Sequence, residues 1–173
     1  MYIYLLTFIV LSYLIKVCLL PLTVQNDLLV IYRTSYYITQ DQWNIYAYMA
    51  QPEVYARDVV PGHPPAPYPY SAYLSSAAWL ELLRLSGLIT YDGWTAVWTL
   101  PSRSLWFLLL KLPYLATDLL TGSLLLKLFA PRKGLIAWAL WSWSATAAYL
   151  LFMGQNDLYP TLFLALAAYL GSR

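Results

Sequence analysis

The sequence predicts an all-α membrane protein with about four transmembrane helices and a large helical first extracytoplasmic loop. Three observations carry that prediction. The 173 residues are 61% hydrophobic and only 10% charged, far from the averages of soluble domains. Mean hydropathy is +0.55. A first apolar run of spanning length and further apolar runs in the C-terminal half flank a polar, proline-rich region. The 17 Tyr and 8 Trp suit interfacial belts, where amphipathic rings settle at headgroup level.

The same composition excludes several classes. A net charge of +2 from dispersed basic residues offers no groove for nucleic acid and no polybasic lipid patch. Cys18 is alone, so neither an internal disulfide nor a thiolate metal cluster can form. The chain has no internal repeat, and its one biased tract is "PGHPPAPYPY".

Residues 1–22 form the first expected transmembrane helix, long enough at ~1.5 Å per residue for a hydrocarbon core of about 30 Å. The run lacks a basic leading region and a small-x-small cleavage site before Asn26, and so reads as an uncleaved signal-anchor. Lys16 lies inside it and must reach an interface or face protein.

From 23 to 103 the character changes. Six of the eight acidic residues, seven of the eleven prolines and the single His fall here. The region is expected to be an extracytoplasmic loop with amphipathic helices. Asp27 to Ile38 has near-helical apolar spacing, with Asn26 or Asp27 as cap. Gln42 to Met49 continues as a second short helix. Pro52 through Pro69 is expected to be extended, because each proline removes an amide donor and restricts its predecessor. Residues 70–88 are apolar but carry Ser75, Ser76, Glu81 and Arg84. Charge bias decides their reading. The basic turn "PRKG" should face the cytoplasm, and with a cytoplasmic N-terminus it does so only if 70–88 does not cross. That segment is therefore an amphipathic helix at the interface or packed on the loop.

Transmembrane helices are then expected at 104–129, 134–153 and 157–173. The last apolar stretch, Leu158 to Leu170, is short of the ~20 residues usually needed to span, as a truncated helix would be. Gly154 to Asp157 becomes an outer turn.

Among groups that could carry chemistry, Asp27 stands five residues past the first span, where partial desolvation could tune a general base. The simpler reading is a helix cap. Asp41 and Asp58 are rivals in the same loop. Glu53 and Arg57, four apart, would pair on a helix. His63 could orient a substrate or bind a metal, but it has no second His or Cys beside it, and zinc wants three or four such ligands. No cofactor is indicated, and a divalent metal has no supporting ligand set. Lys111 and Asp118 lie two turns apart on nearly one face of the 104–129 helix, with Pro113 between them. Seven residues is too far for a direct pair, so each needs another partner. Two readings stay open for them: charges satisfied by neighbouring helices, or a binding site for a lipid phosphate.

The order of these features resembles the N-terminal part of integral-membrane glycosyltransferases of the GT-C class. The first span is followed by "NDLLVIYRTSYYITQDQWNIY", then by "PYPYSAYL", similar to a Tyr-Pro-Pro segment with Tyr70 at the second proline. Arg103 and "KLPYLATDLL" come next, and last "GQNDLYPTLFLALA", similar to a Gly-Gln-x-Asp element of mannosyltransferase-like members. The resemblance implies a partial GT-C fold and inverting transfer of a hexose, mannose among the options, from a polyprenyl-phosphate-linked donor to a glycan, lipid or protein acceptor. It implies that Asp27 is the catalytic base. Asp41, His63, Tyr68, Arg103, Lys111, Gln155 and Asp157 are then substrate-binding candidates, with Gln155 and Asp157 as supports. The expected location is a multi-pass membrane protein with an extracytoplasmic or lumenal active face. Family members have more spans, so the resemblance implies a missing C-terminal half or a second subunit, and little activity from this chain alone. The alternative is a non-catalytic scaffold or assembly subunit that keeps part of the fold. A transporter fragment is a third possibility, disfavoured because transporters concentrate their sites at mid-membrane rather than in a long acidic, aromatic loop.

Overall fold

The computed structural model describes residues 2–23, 26–58, 66–90, 103–153 and 158–172. All regular structure among them is helical: α1 (Tyr2–Leu19), α2 (Asn26–Thr39), α3 (Ile45–Met49), α4 (Pro52–Asp58), α5 (Tyr70–Leu85), α6 (Arg103–Leu128), α7 (Pro131–Trp143), α8 (Ala145–Met153) and α9 (Leu158–Gly171). The chain divides into two compact units, one of 1–25 with 97–173 and one of 26–96. The division falls where the sequence changes character. Two helical segments are long and apolar enough to cross a membrane: Tyr2–Leu22, which is α1 with its closing 3-10 turn, and Leu105–Leu128 of α6.

The first unit is built around α6. Half of its apolar window is buried, against 22% for α1, so α6 is the central helix and α1 a peripheral one. Residue contacts fix the directions. Lys16 meets Asp118 while Leu20 and Thr23 meet Lys111, so α1 and α6 are antiparallel. Trp141 meets Asp118 and Gly134 lies on Leu126, so α7 is antiparallel to α6 as well. The Tyr159 ring at the start of α9 lies tilted against Tyr114, with ring centroids 5.6 Å apart. The far ends of the same two helices, Lys127, Leu128, Tyr169 and Ser172, line one open cavity of about 460 Å³. Helices α6 and α9 therefore run parallel, and the chain between them must return.

That return is not one helix. The sequence suggests a continuous segment over 134–153, but Ser144 is extended (ψ 139°) and splits it into α7 and α8. Its hydroxyl accepts from the Ala147 amide at 3.0 Å, capping α8 and satisfying a donor that the break would otherwise strand. Close approach holds α7 on α6. A Cβ at Gly134 would lie 2.7 Å from the Leu126 carbonyl oxygen, so glycine is what lets the two backbones meet.

The second unit is a helical pair, α2 on α5, closed by the short helices. Helix α5 buries Tyr73, Ser76, Ala77, Leu80 and Leu83 at spacings of three and four, the face that the sequence pattern marks. Helix α2 answers with Leu28, Ile31, Tyr32, Ser35 and Ile38. At ~1.5–3 kcal/mol for each fully buried large apolar side chain, this seam dominates the unit's cohesion. The 52–69 region departs from expectation at its start. Pro52 through Asp58 is helical, because proline at the first helical position gives up an amide with no intrahelical acceptor. The Glu53 and Arg57 spacing is thus helical, and the Arg57 guanidinium donates to the Tyr37 hydroxyl at 3.0 Å.

Candidate functional site

Each unit holds one polar constellation. In the bundle, the Lys16 ammonium meets the Asp118 carboxylate at 2.7 Å, with the two side chains 3% and 0% exposed. The second carboxylate oxygen accepts from the Trp141 indole N–H, also at 2.7 Å. The Tyr13 ring lies 4.7 Å beneath the Lys16 ammonium, and its hydroxyl accepts from the Trp138 indole at 3.3 Å. Ser12 donates to the Ser142 carbonyl at 2.7 Å. Three helices are thereby joined through one carboxylate. Burying these charges is costly singly and tolerable only as a set with its hydrogen bonds made.

Lys111 does something different. It is fully buried, and its ammonium donates to the Leu20 carbonyl at 3.1 Å, to the Thr23 hydroxyl at 2.7 Å and to the Thr23 carbonyl. These are the terminal acceptors of α1 and its 3-10 turn. A cation at a helix C-terminus meets the negative end of the helix dipole and the orphan carbonyls together. Lys111 therefore clamps the end of the first apolar helix, and all three of its donors are used. Of the two readings open in the sequence, satisfaction by neighbouring helices describes both Lys111 and Asp118.

In the second unit the constellation is aromatic. Tyr73 is fully buried, and its hydroxyl accepts from the Tyr68 amide at 2.9 Å. Burial pushes its phenol up to about 12. The Tyr68 carbonyl accepts from the Tyr46 hydroxyl at 2.9 Å, and the Tyr68 and Tyr73 rings meet edge to face at 6.3 Å. Tyr68, a substrate-binding candidate, is thus half-buried and pinned through its backbone on both sides.

Asp41 is exposed and has φ of 63°. The Gln42 amide donates to the Tyr37 carbonyl at 3.0 Å and the Asp41 amide to the Ile38 carbonyl at 3.1 Å. That is the Schellman ending of α2, with an aspartate where glycine is usual. Helix α5 ends in the same way at Gly87, φ 71°, with Leu88 bonded back to Leu83. Asn44 then caps α3, its side chain accepting from the Ala47 amide at 3.3 Å.

Asp27 is the second residue of α2, in its first turn, and Arg103 opens α6; their side chains lie outside the described residues. His63, Gln155 and Asp157 lie outside them as well. Among the described residues no three His, Cys, Asp or Glu side chains stand close enough to share a metal ion. No protein-family model, curated protein or solved structure matches this chain.

Sequence reasoning missed the partners rather than the charges. Lys16, Lys111 and Asp118 are conspicuous in apolar runs, but Trp141, Thr23 and Tyr13 look like ordinary interfacial residues. The signal that could have found them is the deficit of compensation. Two buried cations and one carboxylate cannot balance among themselves, so neutral acceptors had to supply the rest.

Proposed function

We propose that this chain is an integral-membrane glycosyltransferase of GT-C type, or the N-terminal portion of one. It moves a hexose from a polyprenyl-phosphate-linked donor to an acceptor hydroxyl with inversion. Asp27 takes the proton from that hydroxyl as the oxygen attacks the anomeric carbon, and the lipid phosphate leaves with the bonding pair. The observation that supports this reading is the self-contained helical unit of 26–96, which follows the first apolar helix and opens with Asp27 in its first turn.

In this reading the chain crosses the membrane four times, with α7 and α8 together forming the third limb. Arg132 and Lys133 then face the cytoplasm, and the 26–96 unit lies on the opposite side. Asp41, His63, Tyr68, Arg103, Gln155 and Asp157 contribute to binding donor and acceptor. Lys111 contributes through the helix end that it holds.

The test is sugar transfer by the intact protein in liposomes with a radiolabelled polyprenyl-phosphate hexose. Asp27→Asn should lower the rate by about 100-fold or more, the usual scale of general-base loss, while the protein still inserts. A variant that transfers at near-normal rate removes Asp27 as base. Topology has its own check in a Cys18→Ala background. Cysteine at exposed Ser86 should react with an impermeant thiol reagent from the extracytoplasmic side, and cysteine at exposed Lys133 should not.

A non-catalytic scaffold is the second reading. What favours it is that every buried charge described in the bundle is already occupied in holding helices together.

A further inference from the structure

Between the end of α2 and the start of α3 the chain runs through Asp41, Gln42, Trp43 and Asn44, all exposed. Trp43 has 59% of its surface open, more than any other tryptophan among the described residues. An indole left in the open on a folded unit is unusual, because burying it would stabilise the unit. The bridge is also held firmly. Its first residue is fixed by the Schellman bonds of α2, and its last residue caps α3. Trp43 is thus presented on backbone that is tied at both ends. Tyr46, one helical turn on, is 42% exposed, and its hydroxyl is committed to the Tyr68 carbonyl.

The chemistry of the bridge is specific. It offers one large aromatic face, flanked by a carboxylate and two primary amides, with no cation and no aliphatic side chain among the four residues. A pyranose ring has the complementary form. One of its faces presents C–H groups that pack on an aromatic surface, and its rim presents hydroxyls that both donate and accept. Carboxylate and amide side chains supply the matching acceptors and donors. A lipid surface is the competing occupant, since tryptophan also seeks the interface. Segments that lie on membranes surround such residues with Lys, Arg and further apolar side chains; here the single charge is negative.

We propose that Asp41 to Asn44 forms a saccharide-binding ledge, in which Trp43 stacks on the C–H face of a neutral pyranose and Asp41, Gln42 and Asn44 bond its hydroxyls. The proposal deepens the glycosyltransferase reading and rests on it for the identity of the sugar as part of the acceptor. The Asp41 carboxylate is then the reason that a side chain occupies a backbone position suited to glycine.

The experiment is saturation-transfer NMR on the intact protein in lipid nanodiscs, with methyl β-galactopyranoside, methyl β-glucopyranoside and methyl α-mannopyranoside as probes. At least one should receive saturation concentrated on the C–H protons of one ring face. Trp43→Ala should weaken its binding about tenfold, equivalent to ~1.4 kcal/mol, and Trp43→Phe should retain part of it. Absence of transfer to all three glycosides, or undiminished transfer in Trp43→Ala, overturns the ledge. So does quenching by brominated lipids that is present in the parent protein and lost in Trp43→Phe, which would make Trp43 a lipid anchor. If Asp27→Asn retains sugar transfer while glycoside binding still depends on Trp43, the ledge stands and the catalytic reading falls.

Discussion

The two units handle polarity in opposite ways. The bundle buries Lys16, Lys111 and Asp118 and commits them to structure: Lys16, Asp118 and Trp141 tie three helices, and Lys111 closes the end of the first. The 26–96 unit buries tyrosines and leaves Asp41, Gln42 and Asn44 facing outward. In apolar surroundings an ion without partners is prohibitively costly, so charges inside a bundle are bound first to structure. A wet surface carries no such constraint, and polar side chains there remain able to meet a ligand. On the glycosyltransferase reading proposed above, the difference directs the search for chemistry to the 26–96 unit.

The most forceful way to break this comparison is to strand one buried charge. Lys16→Met or Asp118→Leu alone should destabilise the bundle by about 3–5 kcal/mol, because the remaining ion loses its counter-charge. The double variant should recover most of the loss, since two apolar side chains replace the pair together. Denaturant unfolding in mixed micelles measures both. Equal losses in the single and double variants would show that the pair itself supplies net stability.

A smaller effect tests the loop unit. Asp41→Gly should stabilise it by about 1 kcal/mol, because glycine meets no penalty in the left-handed region that Asp41 occupies. Gly87→Asp, at the equivalent place after α5, should cost a similar ~1 kcal/mol. If the carboxylate of Asp41 binds sugar, the stabilised variant loses glycoside affinity. Stability and binding then move in opposite directions, which a purely structural Asp41 would not produce.

The smallest effect is a pH dependence. Tyr73 is raised from its ordinary value of 10.0 to about 12 by burial, so the fold favours the neutral phenol. Its contribution is fully present below pH 10, where the unfolded phenol also holds its proton, and is lost as pH rises towards 12. Unfolding curves across that range should steepen their loss in the parent protein relative to Tyr73→Phe.

Much of the frame was legible because it follows from length, period and composition. The first apolar helix, the 103–128 helix and the buried stripe of α5 at 73, 76, 77, 80 and 83 are each local patterns. The extended reading of 52–58 fails because Pro52 stands at the first helical position, where it starts a helix rather than breaking one. The break at Ser144 was hidden inside an apolar run without Gly or Pro, where only a capping hydroxyl marks it. The end of α2 was legible to within one residue, Ile38 against Thr39, although aspartate stands where glycine would have announced the turn. The Lys16 and Asp118 pair could not be read at all, since 102 residues separate the partners and no local period encodes which helix faces which. Trp43 looked like one aromatic among many until its exposure set it apart.

We propose that the 26–96 unit performs the chemistry and that the buried charges Lys16, Lys111 and Asp118 hold helices. The direct measurement is polyprenyl-phosphate-dependent sugar transfer by two variants of the intact protein, Asp27→Asn and the Lys16→Met/Asp118→Leu double, each shown to be folded and inserted. The account predicts that the first loses transfer while the second keeps it. Transfer retained by Asp27→Asn and lost by the folded double variant would contradict it.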